Sequence, residues 1–333
     1  MKARCRPLNP KQKESLKQQL DLWKREDVIE ESSSPWAAAL VPCLKKGGET
    51  RWAVDYRPLN AVTVADSYPL PRIQDNLERL QGARIFSTLD AAGAYHVIPV
   101  EKKTRPLLAF TTPYGLWQFK RLPFGVKNAV SCYSRFMDTL VSRLRTESII
   151  VYLDDIIVAT KDEEEHLKDL EKVLRLHRHA GIKLKAKKTF LFQKSVSYLG
   201  FRVSEEGIGM QEEYVDRIMK WPTPKTTKQL RSWLGFANYY RSFIKDFSVL
   251  TAEMNAQRRE KTLKWTEIME GKFKELKEKF KKFPIRAYPR YGEDEAPFEV
   301  WPDFSSQALG HVLQQRQDGK LRLIAARGRM TTP

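Results

Sequence analysis

Tyr152-Leu153-Asp154-Asp155 sets two adjacent acids between two apolar runs, Ser148-Ile149-Ile150-Val151 and Ile156-Ile157-Val158-Ala159. Runs this rich in β-branched residues read as buried strands. Two of them joined with no loop to spare read as a tight hairpin. Asn-Gly or Asp-Gly is the usual junction, because those residues tolerate positive φ. Here the junction carries two carboxylates, which repel each other and are costly to desolvate. Divalent cations remove that cost, so the pair reads as half of a metal site. The plainer alternative is a solvated acidic turn. Asp90 is the natural third acid. It ends an apolar strand at 84–89 and precedes Ala91-Ala92-Gly93-Ala94, whose small side chains leave room for a ligand. Its plainer role is to cap a short helix. An acid at one strand end and a pair at an adjacent hairpin tip can converge on one sheet edge. Two cations roughly 3.5–4 Å apart at such a site would suit phosphoryl transfer.

The elements that must hold these residues can be read along the chain. Asn9 caps a first helix with Pro10 in its first turn and Leu16, Leu20 and Trp23 on one face. Strands at 39–44 and 51–54 flank Lys45-Lys46-Gly47-Gly48, which reads as a basic finger that can approach phosphate or as an exposed turn. Ile73, Leu77 and Leu80 mark a short helix, and 106–111 with 114–120 read as a hairpin. The next helix aligns Ala129, Tyr133, Phe136, Leu140 and Leu144. The helix after the acidic hairpin is expected to bury Leu167, Leu170 and Leu174, and its flank at 183–188 is strongly basic. Tyr198-Leu199-Gly200-Phe201 is expected to open another strand. Trp221-Pro222-Thr223-Pro224 looks like a boundary, and Thr226 with Gln229 resembles a capping box. Leu230, Trp233, Leu234 and Ala237, then Phe273, Leu276 and Phe280, mark helices of a small helical domain over 206–285. Strand patterns return at 298–301, 309–314 and 321–325.

Composition narrows the function classes. The 333 residues exceed one typical core, and the apolar share of 41% suits a globular protein. Lys and Arg number 59 against 41 Asp and Glu, a formal charge of +18 that points to a polyanionic partner. Aromatic residues, at 11%, offer rings for stacking on bases or sugars. Cys5, Cys43 and Cys132 form no zinc spacing and no disulfide framework, which fits a reducing, cytoplasmic compartment. No apolar run can span a bilayer, and the basic N-terminus lacks a signal peptide's apolar stretch.

At this point a resemblance covers nearly the whole chain, in order. Arg51-Trp52-Ala53-Val54-Asp55-Tyr56-Arg57-Pro58-Leu59-Asn60, Tyr68-Pro69-Leu70-Pro71, Phe86-Ser87-Thr88-Leu89-Asp90 with Tyr95-His96, Leu122-Pro123-Phe124-Gly125, Tyr152-Leu153-Asp154-Asp155, Tyr198-Leu199-Gly200 and Asn238-Tyr239-Tyr240-Arg241 follow one another. Together they resemble the reverse transcriptase of gypsy-type long-terminal-repeat retrotransposons, relatives of the retroviral enzymes. The resemblance implies an α+β right-hand polymerase fold: fingers at 1–64 and 101–126, palm at 65–100 and 127–205, thumb at 206–285, and a partial RNase H-like segment at 286–333. It implies that Asp90, Asp154 and Asp155 hold two Mg2+ ions, with Mn2+ as a substitute. Lys46 and Arg51 would meet the incoming deoxynucleoside triphosphate, Tyr95 would be a gate against the 2′-hydroxyl, and Phe124 and Gly125 would line the nucleotide pocket. Leu199 and Gly200 would support the primer end, and Lys188 would be a general acid toward pyrophosphate. The implied partners are an RNA template, a DNA primer and the RNA–DNA hybrid, within retroelement particles in the cytoplasm and with no membrane contact. Oligomeric state stays open. Ala94 and Val97 depart from the family's usual Gly and Gln beside the nucleotide pocket.

Asp303 matches the first catalytic Asp of the RNase H domain, but one carboxylate builds no two-metal site, so no RNase H activity is expected from it. An inactive connection-like segment, as in related retroviral enzymes, is the alternative, and either is expected to be poorly ordered or to expose a sheet edge. Two rival readings compete with the polymerase. One is a catalytically impaired nucleic-acid-binding module of a retroelement polyprotein. The other is a palm-type nucleotide cyclase, which would need neither primer nor basic thumb and whose ribonucleotide substrate Tyr95 would oppose.

Overall fold

The computed structural model describes residues 3–44, 48, 50–144, 146–283, 285–304 and 308–330. Its first helix, Pro10–Arg25, starts where a reciprocal cap forms: Gln12 N–H donates to Asn9 Oδ1 at 2.8 Å, and Asn9 N–H donates to Gln12 Oε1 at 3.1 Å. Leu16, Leu20 and Trp23 turn inward as their spacing requires. They share a core with Trp52, Tyr56, Phe110, Trp117 and Phe119, residues on or beside a five-stranded sheet ordered Ile29–Glu31, Gly115–Phe119, Phe110–Thr112, Ala38–Leu44, Thr50–Asp55. The hairpin expected over 106–120 starts later, because Arg105–Leu108 is a 3-10 turn. Pro106 has no N–H for a ladder, and its fixed φ suits the turn.

The chain divides into two compact units: Met1–Arg72, Thr88–Val158 and Leu167–Thr189 form one, and Ile73–Ser87, Ala159–His166 and Phe190–Pro333 form the other. The first unit holds a second core around the acidic hairpin. Ile149–Tyr152 pairs antiparallel with Asp155–Thr160 in the expected register, and the helices Ala129–Val141 and Glu163–His179 bury Tyr133, Met137, Leu170 and Val173 against Leu89, Ile149, Ile156 and Val158.

Two expectations are corrected here. Asp90 does not end its strand, which runs Ile85–Ala92. The extension comes from Lys183–Leu184, which pairs with Ala91 and Ala92 from far along the chain. The helix Glu163–His179 does not bury Leu167 and Leu174, which are 60% and 41% exposed. Its inward stripe is His166, Asp169, Leu170, Val173 and His177. Polar residues can occupy that stripe because they find partners there: Asp169 accepts from Ser148 and, at 2.7 Å, from Lys172, while His177 Nδ1 lies 2.8 Å from Val173 O.

In the second unit, Ser195–Tyr198, Phe201–Ser204 and Gly207–Met210 form one three-stranded sheet. Tyr198 and Phe201 face each other across its first turn, so Tyr198-Leu199-Gly200-Phe201 closes a hairpin, and the expected strand opens at Phe201. The helices Glu212–Met219, Thr227–Tyr239, Phe247–Gln257 and Glu267–Lys281 follow, with Trp233 fully buried against Phe273 at 4.7 Å between centroids. The expected capping box is half formed: Thr226 accepts from Gln229 N–H at 3.2 Å, but the Gln229 side chain accepts from Lys225. A second three-stranded sheet joins Phe298–Phe304, Ala308–Gln317 and Lys320–Met330. Asp318 and Gly319 turn its last hairpin, both at positive φ.

Candidate active site

The acidic hairpin closes on the pair Tyr152 and Asp155, leaving Leu153 and Asp154 as its two loop residues. Leu153 takes φ 55°, a region that costs a branched residue about 1 kcal/mol or more. That conformation sets Asp154 at the tip and Asp155 at the head of the next strand. The backbone ties the tip to the neighbouring strand, since Ala91 N–H donates to Asp154 O at 3.4 Å. Asp155 is exposed as a residue, yet protein crowds its carboxyl group. Burial pushes its pKa up first, and the charges of Asp154 and Asp90 push it further.

Asp90 has the opposite balance. Burial raises its pKa, but hydrogen bonds and charge from Lys185 and Lys188 outweigh that and hold it below the ordinary carboxylate value. Lys185 Nζ donates to Oδ1, and Lys188 Nζ donates to Oδ2 at 3.0 Å. Lys188 therefore keeps its own proton more tightly than a free lysine, chiefly through the Asp90 hydrogen bond.

Tyr95 sits in the 3-10 turn Ala94–Val97, with its ring 4.8 Å from Phe124 and 5.1 Å from Tyr133. Burial raises its hydroxyl pKa, and the charge of Asp154 adds to this, so the ring belongs to the same electrostatic site as the carboxylates. The Arg51 guanidinium lies over the other end of this stack, 5.1 Å from the Phe124 centroid. Gly125 takes φ 90°, which a side chain would oppose. Asn60 pins the loop around it, donating to Gly125 O and accepting from Lys127 N–H, both at 2.8 Å. Lys46 lies outside the described residues.

In the second unit, Leu199 and Gly200 form a two-residue loop with φ 46° and 78°. Tyr239 Oη donates to Leu199 O at 2.6 Å, and Tyr240 Oη donates to Gly200 O at 2.9 Å. Asp303 is exposed and pairs with Lys245 at 3.7 Å.

Comparison with known proteins decides the family. Residues 43–203 match the family described as reverse transcriptase (RNA-dependent DNA polymerase). These residues form a reverse transcriptase domain. The Tf2-3 and Tf2-7 transposon polyproteins of Schizosaccharomyces pombe are each 31% identical over 313 residues, covering 94% of this chain. The chain spans 23% of the length of those polyproteins. A foamy viral protease-reverse transcriptase in complex with double-stranded DNA is similar with TM-score 0.88 and 26% identity, over 99% of this chain and 58% of that one. The same kind of protein with an RNA/DNA hybrid gives TM-score 0.84 at 26% identity, over 99% and 44%. These similarities accord with the gypsy-type resemblance.

Among the described residues, no three His, Cys, Asp or Glu side chains are grouped tightly enough to hold an ion as they stand. The donor chemistry nonetheless fits a hard divalent cation: the acids are carboxylates, and the charges of two of them raise the pKa of the third. No helix among the described residues is long and apolar enough to cross a membrane. Three contributors escaped the reading of site residues. Asn60 and the Tyr239–Tyr240 pair were visible only as members of motifs, and Lys185 only as part of a basic flank. The one local signal for Lys185 is its spacing of three from Lys188, which a 3-10 turn brings to one side.

Proposed function

We propose that this reverse transcriptase extends a primer 3′-hydroxyl with deoxynucleoside triphosphates on RNA and DNA templates, with Mg2+, or Mn2+ in its place, held by Asp90, Asp154 and Asp155. The observation that carries the reading is geometric: the turn bearing Asp154 and Asp155 is tied through Ala91 to the strand that carries Asp90, and burial first, then the charges of Asp154 and Asp90, raise the pKa of Asp155. The chemistry that a divalent cation supplies there is relief of this repulsion and stabilisation of charge on the attacking and leaving oxygens.

The remaining roles belong to the chain's own groups. Arg51, stacked over Phe124, and Lys46 would meet the triphosphate through charge-assisted contacts. Tyr95, braced by Phe124 and Tyr133, would stack under the deoxyribose and exclude a 2′-hydroxyl. Gly125 lets backbone approach the base pair. Lys188 holds a proton at Nζ and would give it to the departing pyrophosphate once Asp90 no longer holds that ammonium. Leu199 and Gly200, tied down by Tyr239 and Tyr240, would carry the primer end. Residues 1–64 and 101–126 would serve as fingers, 65–100 and 127–205 as palm, 206–285 as thumb, and 286–333 as an RNase H-like segment. The charge of +18 and neighbours described in complex with double-stranded DNA and RNA/DNA hybrid support a nucleic-acid partner. Free Cys5, Cys43 and Cys132 suit a reducing cytoplasm.

The test is primer extension on an RNA template with Mg2+ and deoxynucleotides, beside Asp154→Asn. Extension that disappears in the variant supports the polymerase. Equal extension by both proteins removes the carboxylates from the chemistry. A folded chain that binds primer–template yet never extends it is instead a binding module.

A further inference from the structure

Both oxygens of the Asp90 carboxylate are taken by ammonium groups from one short segment. Lys185 donates to Oδ1 and Lys188 to Oδ2. Lys185 is anchored twice, because its backbone N–H also donates to Asp90 O at 3.0 Å. The Asp90 side chain is only 17% exposed, and a carboxylate so far withdrawn from water needs a partner charge to stay ionised. A cation that bound Asp90 would meet these ammonium groups at the same oxygens. It would have to displace at least one of them, since an ammonium and a divalent ion repel at contact distance. Lys188, with one anchor and 64% exposure, can swing into water readily. Lys185, whose backbone is fixed to Asp90 and whose side chain is 42% exposed, stays beside the carboxylate, so the ease with which its ammonium leaves Oδ1 governs entry of a cation.

We propose that Lys185 is a displaceable counter-ion of the carboxylate centre: it holds the Asp90 carboxylate in place when no metal is bound, and it yields Oδ1 when a divalent cation arrives. The proposal rests on reading Asp90 as a metal ligand. It makes Lys185 a positioning residue that sets the cation concentration at which the centre fills. Removing its charge then makes the site easier to fill, which is the opposite of what loss of a merely structural side chain would do.

The experiment is Mn2+ binding to the full chain without nucleic acid or nucleotide, read from the electron paramagnetic resonance signal of free Mn2+. Lys185→Met should bind roughly tenfold more tightly than the parent, the size expected for a partly solvated charge. Lys185→Arg should bind like the parent, and adding Asp90→Asn to Lys185→Met should abolish the gain. Lys185→Gln replaces the methionine variant if circular dichroism shows the latter unfolded. A neutral variant that binds Mn2+ no more tightly than the parent overturns the proposal, as does an arginine variant that behaves like the neutral one. Primer extension by Asp154→Asn separates the two levels. If that variant is inactive while the Mn2+ isotherm stays fixed, only the counter-ion fails. If it extends normally, the ligand reading fails and takes the counter-ion with it.

Discussion

Two hairpins in this chain turn on a leucine at positive φ, and they use the same two-residue loop differently. Leu199 has φ 46° and is followed by Gly200 at φ 78°. Both loop carbonyls there accept hydrogen bonds, from Tyr239 at 2.6 Å and Tyr240 at 2.9 Å. Leu153 has φ 55° and is followed by Asp154, whose carbonyl accepts a long bond of 3.4 Å from Ala91. The first turn is relaxed by glycine and tied by two hydroxyls, so its geometry is over-determined. The second shares the strained leucine but sets a charged tip where the first has glycine, an arrangement that favours the position of a carboxylate over local stability. The comparison therefore predicts that substitutions at the acidic turn change activity and spare the fold, while those at the glycine turn change the fold first.

The largest effect should come from Asp154→Asn. Loss of one cation-binding carboxylate removes several kcal/mol of transition-state stabilisation, so primer extension should fall about a thousandfold. Thermal unfolding should show no loss of stability, and a small gain is expected because Asp154 contributes to the repulsion felt by Asp155. A variant that melts several degrees lower would mean that the acidic turn is structural after all.

The strand leading into that turn has its own anchor. Asp169, with a side chain only 4% exposed, accepts from Ser148 and Thr146 just before Ile149–Tyr152, and from Lys172. Asp169→Asn should cost about 2 kcal/mol at neutral pH, the scale of hydrogen bonds to a buried charge. Burial raises the Asp169 pKa, but the bonds from Lys172, Ser148 and Thr146 outweigh it and the net shift is downward. The folded state thus binds this proton less tightly than the unfolded chain. Its contribution is complete above the ordinary value of 3.8 and is lost as pH falls through the lower folded value. Urea midpoints of the two proteins should stay apart at pH 6 and converge as the medium is acidified past that window. A constant gap would show that the bonds do not depend on the charge.

How much of this was legible beforehand follows from which forces are local. The acidic hairpin was readable because two β-branched runs and a two-residue junction leave one register that buries both. The first helix was readable from its cap. The position of Asp90 within its strand was not, since the extension is supplied by Lys183–Leu184 across the first unit. The inward face of Glu163–His179 was misjudged because leucine spacing was weighed above polar residues. Asp169 is buried there because Ser148 and Thr146, outside the helix, donate to it, and such satisfaction cannot be seen in periodicity; His177 meets the carbonyl of Val173 one turn back. Leu199-Gly200 was a missed turn signal: the glycine was visible, but the flanking aromatic residues suggested a strand. Lys185 was hidden because its role depends on which carboxylate the fold brings to it.

Gly200→Ala should cost about 1 kcal/mol, the penalty for a Cβ at positive φ. An added Cβ would lie 3.4 Å from Tyr239 Cε1 and 3.5 Å from Tyr240 Oη, which is ordinary contact, so the cost is conformational rather than steric. The mirror substitution, Leu153→Gly, relieves a similar strain but frees the unfolded chain by a comparable amount, and its net effect should be within about 0.5 kcal/mol. Equal costs at the two sites, measured by urea unfolding, would erase the distinction between the turns.

The smallest effect tests how the glycine turn is held. Tyr240 is 2% exposed and Tyr239 is 42% exposed, although both donate to the same loop. Removing a hydroxyl from a buried donor leaves Gly200 O without that partner, so Tyr240→Phe should cost about 1 kcal/mol. At Leu199, water can replace the lost donor beside an exposed ring, so Tyr239→Phe should cost only about 0.5 kcal/mol. Both bonds restrain one two-residue loop, so the double variant should not equal the sum of the singles. A coupling energy near zero in that cycle would mean each carbonyl is held independently, and the turn would then be no more over-determined than the acidic one.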